Sequence, residues 1–217
     1  MHTRSLEGRA LFFSRFLLLF SVFLLGAAII FLAWTVHDAR AISSGVIRLH
    51  ILADSDSVED QALKLLVRDA ILDEYGETLA AFSDVESAKG YFEKNISSLE
   101  ATASRVLLEN GAHDAVSVEL CREYYETRAY DGFDLPAGEY TSLRVTIGEG
   151  TGKNWFCMVY PPVCTASSEA DEALLAVGFS ESQVRLLTEN EQGYTLRFKV
   201  VEVFSECVRR IREGWSG

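Results

Sequence analysis

An uncharged apolar run near the N-terminus limits what this chain can fold into. Phe16 to Val36 carries no charge over 21 positions, and a helix of that length covers about 30 Å, the thickness of the hydrocarbon core of a bilayer. Three arginines, Arg4, Arg9 and Arg15, precede the run. The run therefore predicts a membrane-entering segment, and its basic flank predicts that the rest of the chain lies outside the cytoplasm.

Two forms of that segment stay open. The small residues Ala39 and Ala41 follow the apolar run, a pattern typical of a signal-peptide cleavage site. The run is also longer than the usual apolar region of a signal peptide, which favours retention as an anchor. We expect residues 1–41 to be a signal peptide or an N-terminal membrane anchor, and residues 42–217 to form one exported domain.

The predicted exported part is strongly acidic. It contains 16 Lys and Arg against 30 Asp and Glu, a formal net charge of −14. Such a charge repels nucleic acid and anionic lipid headgroups. We therefore expect no nucleic-acid partner, and contact with the membrane only through the N-terminal segment. The length suits one domain with its own core.

Hydrophobic periodicity predicts the order of elements in this domain. Apolar residues at 47, 49 and 51 alternate with Arg48 and His50, which indicates a half-buried strand. Two helices are expected next, one closed by Gly76 with Lys64 facing outward and one closed by Asn110-Gly111. The remaining expectations are strands in 115–125, 140–147 and 154–160, helices in 169–177 and 181–187, and a final strand through 194–198 that continues into a helix. This order favours an α+β domain in which helices pack on a mainly antiparallel sheet.

A glycine-rich stretch separates two of the predicted strands. It holds three glycines and the two polar residues that follow them: Gly148, Gly150, Gly152, Lys153 and Asn154. A phosphate-binding loop needs another glycine spacing and a helix after the loop. Aromatic and β-branched residues on both sides predict strands instead. The pattern therefore predicts a β-hairpin, with a ligand-binding loop as the alternative.

Asp54 and Asp56 lie two residues apart where the first strand ends. Carboxylates at a strand end can hold Mg²⁺ in a phosphotransferase or glycosyltransferase, and His50 could serve there as a base. The alternative is structural, because Asp54, Ser55 and Ser57 can cap the following helix. No nucleophile motif or nucleotide loop completes an active site. We assign no catalytic residue, metal or cofactor, and keep an envelope hydrolase or metal-dependent transferase as the alternative function.

The four cysteines are Cys121, Cys157, Cys164 and Cys207. None lies in a spacing typical of zinc sites. An exported chain permits disulfides, and the bend at Pro161-Pro162 could bring Cys157 and Cys164 together. Two buried thiols are the alternative for that pair. The state of Cys121 and Cys207 stays open.

Three segments of the chain resemble one known family. They are IRLHILADSDSVEDQALKLLVRD (Ile47–Asp69), LPAGEYTSLRVTIGEGTGKNWFCMVYPPVC (Leu135–Cys164) and RFKVVE (Arg197–Glu202). With the N-terminal apolar run, their order and spacing resemble the stage II sporulation protein R family over essentially the whole predicted domain. The chain departs from the family at Trp155-Phe156, where the family has a tryptophan pair.

The resemblance implies a signalling protein of endospore-forming bacteria, without an enzyme activity of its own. Such a protein is exported from the forespore into the intermembrane space, where it activates a membrane-embedded aspartic protease that cleaves the sigma-E precursor. The family supplies no catalytic residues to transfer, so we take two loops as candidate partner contacts. They comprise Asp54, Ser55, Asp56, Ser57 and Asp60 in the first loop, and Gly148, Gly150, Gly152, Lys153, Asn154 and Trp155 in the second.

Overall fold

A computed structural model describes residues 3–130, 133–162, 170–188, 199, 201–204, 206, 207 and 210. The chain divides into two compact units, Met1–Asp38 and Ala39–Gly217. The strand expected through 194–198 lies outside the described residues. The boundary expected between residues 41 and 42 stays a prediction.

The N-terminal apolar run is helical, as expected. Helix α1 covers Thr3–Gly45, and its part Ser14–Gly45 is the one described helix that is long and apolar enough to cross a membrane. Its apolar side chains are exposed, including Phe23 and Ile30. By length and composition this helix is compatible with a signal sequence or a membrane anchor.

The second unit alternates helices and strands. The elements after α1 are β1 (Ile47–Leu52), α2 (Val58–Ala80), α3 (Val85–Glu109), β2 (Val116–Tyr125), β3 (Arg128–Tyr130), β4 (Phe133–Leu135), β5 (Gly138–Ile147), β6 (Asn154–Tyr160), α4 (Ala170–Ala176) and α5 (Glu181–Thr188). β3 and β4 form a small sheet of their own. The predicted α+β class with an N-terminal apolar helix is confirmed.

The main sheet has the strand order β2-β5-β1-β6. β1 runs parallel to β5 and antiparallel to β6, and β2 runs antiparallel to β5. The sheet is thus mainly antiparallel, as expected. The predicted hairpin is wrong, because β1 lies between β5 and β6. A strand buried on both faces belongs inside a sheet, and β1 takes that position.

Both faces of the main sheet are covered. On one face Ile47, Leu49 and Ile51 pack in a core with residues of α2 and α3. On the other face a second apolar cluster includes Tyr140 of β5 and Leu187 of α5. The expectation of a half-buried first strand is wrong for this reason: Arg48 is 0% and His50 8% exposed.

Helix α2 departs from its predicted limits and orientation. Its N-cap is Ser57, whose side chain accepts from the backbone N–H of Asp60, as the sequence suggested. It does not end at Gly76 but continues to Ala80, because a single glycine costs a helix only about 1 kcal/mol. Lys64, expected outward, is 4% exposed. The predicted closure of α3 at Asn110 is confirmed, and Gly111 follows with a φ of 80°.

Candidate functional site

The structure brings the two candidate loops together into what we call the loop pair, residues 53–57 after β1 and residues 148–153 after β5. Because β6 lies beyond β1, the second loop must cross the C-terminal end of β1. We call this second loop, residues 148–153, the crossing loop. The crossing is fixed by backbone hydrogen bonds from Thr151 N to Asp54 O (3.1 Å) and from Gly152 N to Ala53 O (2.9 Å). The sequence named these loops separately, and the strand order joins them.

The two aspartates bind the backbone of the crossing loop. Asp54 Oδ1 accepts from the N–H of Glu149 (2.6 Å), and Asp56 Oδ1 accepts from the N–H of Lys153 (2.7 Å). Hydrogen bonds to an ionised acceptor are roughly twice as strong as neutral ones. Asp54 was expected to cap α2 in the structural alternative, but Ser57 is the cap. The carboxylates instead hold the glycine-rich loop over the strand end.

Two glycines permit this close approach. Gly148 has a φ of 58°, and a Cβ there would lie 2.0 Å from Asp54 Oδ1. A Cβ on Gly152 would lie 2.1 Å from Ser55 O. Any larger residue would displace the loop from the aspartates. Contact with the first loop therefore explains the glycines at 148 and 152.

The first turn of α2 is hydrogen-bonded to the loop that precedes it. Ser55 Oγ donates to the Asp60 carboxylate, and Asp60 N donates to Ser57 Oγ (3.0 Å). Hydrogen bonds to the Asp60 carboxyl, from the Ser55 side chain first and the Ser57 side chain next, lower its pKa. Asp60 therefore acts inside the capping network.

Lys64 on the inner side of α2 links this helix to the crossing loop. Its ammonium donates to Lys153 O (2.7 Å) and to Gln61 Oε1 (2.6 Å). Burial lowers the pKa of this lysine. The sequence analysis missed Lys64, because helical spacing gives a residue's direction but not the backbone of a loop 89 positions later.

The proposed base His50 contacts other groups than the aspartates. Its Nδ1 lies 3.0 Å from Glu123 Oε2, and its Nε2 lies 3.1 Å from Asn154 Oδ1. No group of three or more His, Cys, Asp or Glu side chains suited to a metal ion occurs among the described residues. The described part of the chain therefore does not gather Asp54, Asp56 and His50 into one constellation.

Glu123 is the centre of a polar network on the second face of the sheet. Its Oε2 accepts from Tyr125 OH (2.7 Å), and its Oε1 accepts from Arg144 Nη1 (3.2 Å). Burial opposes ionisation of this carboxyl, but hydrogen bonds from His50, Ser142 and Tyr125 outweigh it and lower its pKa to about 2. The network was missed because a strand's own alternation cannot show that a second layer covers its polar face.

Arg48 lies fully buried beside this network. Its guanidinium carbon is 3.8 Å from the ring centre of Tyr125 and 5.1 Å from that of Tyr140, and its Nη2 donates to Tyr130 OH. Cation–π contacts are strongest when they are desolvated. Arg48 thus fastens β3 and β5 to the central strand.

The remaining candidates are Trp155 and the cysteines. Trp155 is half-buried, and its ring lies 5.1 Å from the guanidinium of Arg68 on α2. Cys157 is disulfide-bonded, whereas Cys121 and Cys207 are free. Cys164 lies outside the described residues, so its pairing with Cys157 stays a prediction.

Comparison with known proteins identifies the family. Residues 43–170, from the end of α1 to the start of α4, match the family model described as stage II sporulation protein R. The chain belongs to the stage II sporulation protein R family. A curated relative, the Stage II sporulation protein R of Bacillus subtilis strain 168, is 30% identical over 179 residues, which cover 74% of this chain and 80% of the relative. No solved structure matches the chain.

The family match covers the site described above. Both loops of the loop pair, β1 and the Glu123 network lie within residues 43–170. Membership in the stage II sporulation protein R family supports a role in sporulation. By length and composition, the N-terminal apolar helix is compatible with a signal or a membrane anchor.

Proposed function

We propose that this chain is an exported sporulation signal that activates a membrane-embedded aspartic protease, which then processes the sigma-E precursor. Membership in the stage II sporulation protein R family is the observation that carries this proposal. The apolar helix before the domain supports export from the forespore into the intermembrane space, either with cleavage or with retention of the helix. The protein acts by binding and has no catalytic step of its own.

The use of the charged groups supports a binding role. A metal site needs several convergent oxygens, and a general base needs a free lone pair near the substrate. In the loop pair, Asp54 and Asp56 accept backbone N–H groups. Next to it, the Asp60 carboxylate accepts from Ser55 Oγ, and the Asp60 N–H donates to Ser57 Oγ. These carboxylates shape a surface and are occupied by the fold.

The loop pair is well suited to be part of the contact with the protease. Asp56, Glu149, Thr151 and Lys153 are exposed there, while the hydrogen bonds beneath them fix the backbone. A surface that is ordered before binding loses less conformational entropy when it binds. The loop pair therefore presents a preformed polar patch at one end of the sheet.

Reconstitution in a host that makes no spores tests the proposal. The full chain, the candidate protease and the sigma-E precursor are expressed together, and precursor cleavage is followed by immunoblot. We expect cleavage only when both the chain and the protease are present. Equal cleavage with and without the chain would reject activation, and cleavage without the protease would show that another activity acts on the precursor.

The alternative, a metal-dependent hydrolase or transferase, makes a different prediction. It requires tight binding of Mg²⁺, Mn²⁺ or Ca²⁺ by the purified full chain. We expect titration calorimetry with each ion to show no such binding. A tight site lost in the Asp54→Asn, Asp56→Asn variant would favour the alternative.

A further inference from the structure

Helix α2 is apolar on two sides, and one of them faces away from the core. Its inner residues Val67, Ile71 and Leu79 are fully buried against the sheet and α3. Away from that inner side Val58 is 81%, Leu65 37% and Leu66 42% exposed. An amphipathic helix that needs only one buried side carries polar residues on the other. The outer side of α2 therefore departs from the pattern of a helix that merely covers a core.

The outer residues form a continuous line, which we call the outer stripe. It consists of Val58, Ala62, Leu65, Asp69, Leu72 and Gly76, of which Leu72 is half-buried and also packs against the core. These positions alternate steps of four and three, which places them along one side of a helix over about 27 Å. Val58, Ala62, Leu65 and Asp69 are exposed. A Cβ added to Gly76 would meet no atom within 4 Å, so the stripe is also open at its far end.

We propose that the outer stripe of α2 is the docking site for a basic amphipathic helix of the protease, a step that rests on the function proposed above. Steps of four and three are the spacing by which one helix receives the side chains of another. Asp69 lies in the middle of the stripe, where its carboxylate pairs with Arg68 (2.6 Å), and the acidic residues Glu59 and Asp73 are exposed along one flank. This combination fits a partner helix with an apolar side and lysine or arginine beside it.

The same charges argue against the other occupants of such a stripe. An anionic membrane surface would be repelled by Glu59 and Asp73, and by the net charge of −14 on residues 42–217. Two copies of this chain packed antiparallel through their stripes would bring the two acidic flanks together. Like charges placed opposite each other in an interface are unfavourable. A basic partner removes both difficulties.

The stripe is continuous with the loop pair. Val58 directly follows Ser57, the cap that ends the first loop, so the partner helix would meet exposed groups of both surfaces. Lys64 fastens the inner side of α2 to the crossing loop through Lys153 O. The two surfaces are thus held at a fixed distance, and one partner can contact both.

Variants in the reconstituted system measure the contribution of the stripe. We expect Leu65→Glu to reduce precursor cleavage by about tenfold or more, since a charge replaces a central apolar contact. Val58→Glu should give a similar loss without harm to folding, because an acidic residue in the first turn favours a helix. The control is Leu108→Glu on α3, where another leucine is 56% exposed, and the protease should cleave the precursor at the wild-type rate in its presence. Wild-type rates of precursor cleavage with both stripe variants would overturn the docking site.

Charge reversal on the flank tests the chemistry of the partner. With the Glu59→Lys, Asp73→Lys variant the protease should cleave the precursor several-fold more slowly, because the variant repels a basic helix. Glu93→Lys, an exposed site on α3, is the control and should have no effect. Unchanged or faster cleavage in the double variant would show that the partner is not basic.

Photo-crosslinking separates the docking site from the proposed function. A photoreactive residue replaces Leu65, or Leu108 as the control, in the full chain expressed with the protease. We expect an adduct with the protease from position 65 alone. An adduct between two copies of this chain, an adduct with lipid, or no adduct overturns the docking site. If position 65 gives an adduct with the protease but the protease does not cleave the precursor in the presence of the wild-type chain, the docking site is retained and activation is rejected.

Discussion

Asp54 and Gly148 depend on each other. The carboxylate accepts from the crossing loop, and the glycine leaves room for it at a backbone angle that other residues rarely adopt. The sequence analysis marked both residues as candidates without relating them. Their relation could not be predicted, because it requires the knowledge that β1 lies between β5 and β6.

Gly148→Ala should destabilise the protein by about 2 kcal/mol or more, since the methyl group would strike Asp54 at a strained φ. Gly76→Ala is the matched control. Gly76 is inside a helix with open space around it, so alanine there should stabilise by up to about 1 kcal/mol. Urea unfolding of the full chain in detergent measures both. Equal effects of the two substitutions would contradict the account of the crossing.

Asp54→Ala should lower the free energy of unfolding by about 1–3 kcal/mol, because the Glu149 N–H loses a charged acceptor. Asp54→Asn keeps an oxygen at that position and should lose less. Together with Asp56→Ala, the alanine variant should also abolish precursor cleavage. Normal precursor cleavage in the presence of a folded Asp54→Ala, Asp56→Ala variant would remove the loop pair from the proposed contact.

The lowered pKa of Glu123 predicts that the free energy of unfolding decreases in acid. Its pKa is lowered from 4.5 to about 2 in the folded protein, so its contribution is fully present above about pH 4.5 and is lost as the pH falls toward 2. The free energy of unfolding should therefore decrease over that range. In Glu123→Gln the decrease should be shallower. Urea unfolding at several pH values measures this. If the free energy of unfolding depends on pH in the same way in the wild type and in Glu123→Gln, the lowered pKa is not that of Glu123.

The element scale shows where local patterns suffice and where they do not. The alternation at Ile47, Leu49 and Ile51 predicted β1 and its core face correctly. It could not reveal that Arg48 is buried, because the tyrosines around it come from β2, β3 and β5. The hairpin prediction failed for a similar reason, since strand, loop and strand look the same in sequence whether or not another strand lies between.

Helix α2 begins where the first loop of the loop pair ends and carries the outer stripe, so its first residues are a sensitive position. Ser57→Ala removes the acceptor for Asp60 N and should cost about 1 kcal/mol of stability. Ser57→Asp supplies another acceptor and should restore most of it. Thermal unfolding followed by circular dichroism compares the two. No difference between them would mean that the cap does not fix the helix start.

At the scale of the whole molecule, the sequence alone predicts both the apolar N-terminal helix and the acidic charge of the second unit. Composition and length suffice for such features, because they do not depend on which elements meet. The sequence did not predict that the second face of the sheet is covered. The covering elements are α4, α5 and the small β3–β4 sheet, and these are short elements with little hydrophobic periodicity. The resemblance found by motif was confirmed by the family match over residues 43–170.

The account depends most on activation from outside the cytoplasm, and a three-arm cleavage assay tests it directly. The sigma-E precursor and the protease are expressed with the full chain, with a Leu24→Arg, Ile30→Arg variant whose charged apolar run resists membrane entry, or with no third protein. The account predicts rapid precursor cleavage with the full chain and only background cleavage in the other two arms. Equal cleavage in all three arms would contradict it.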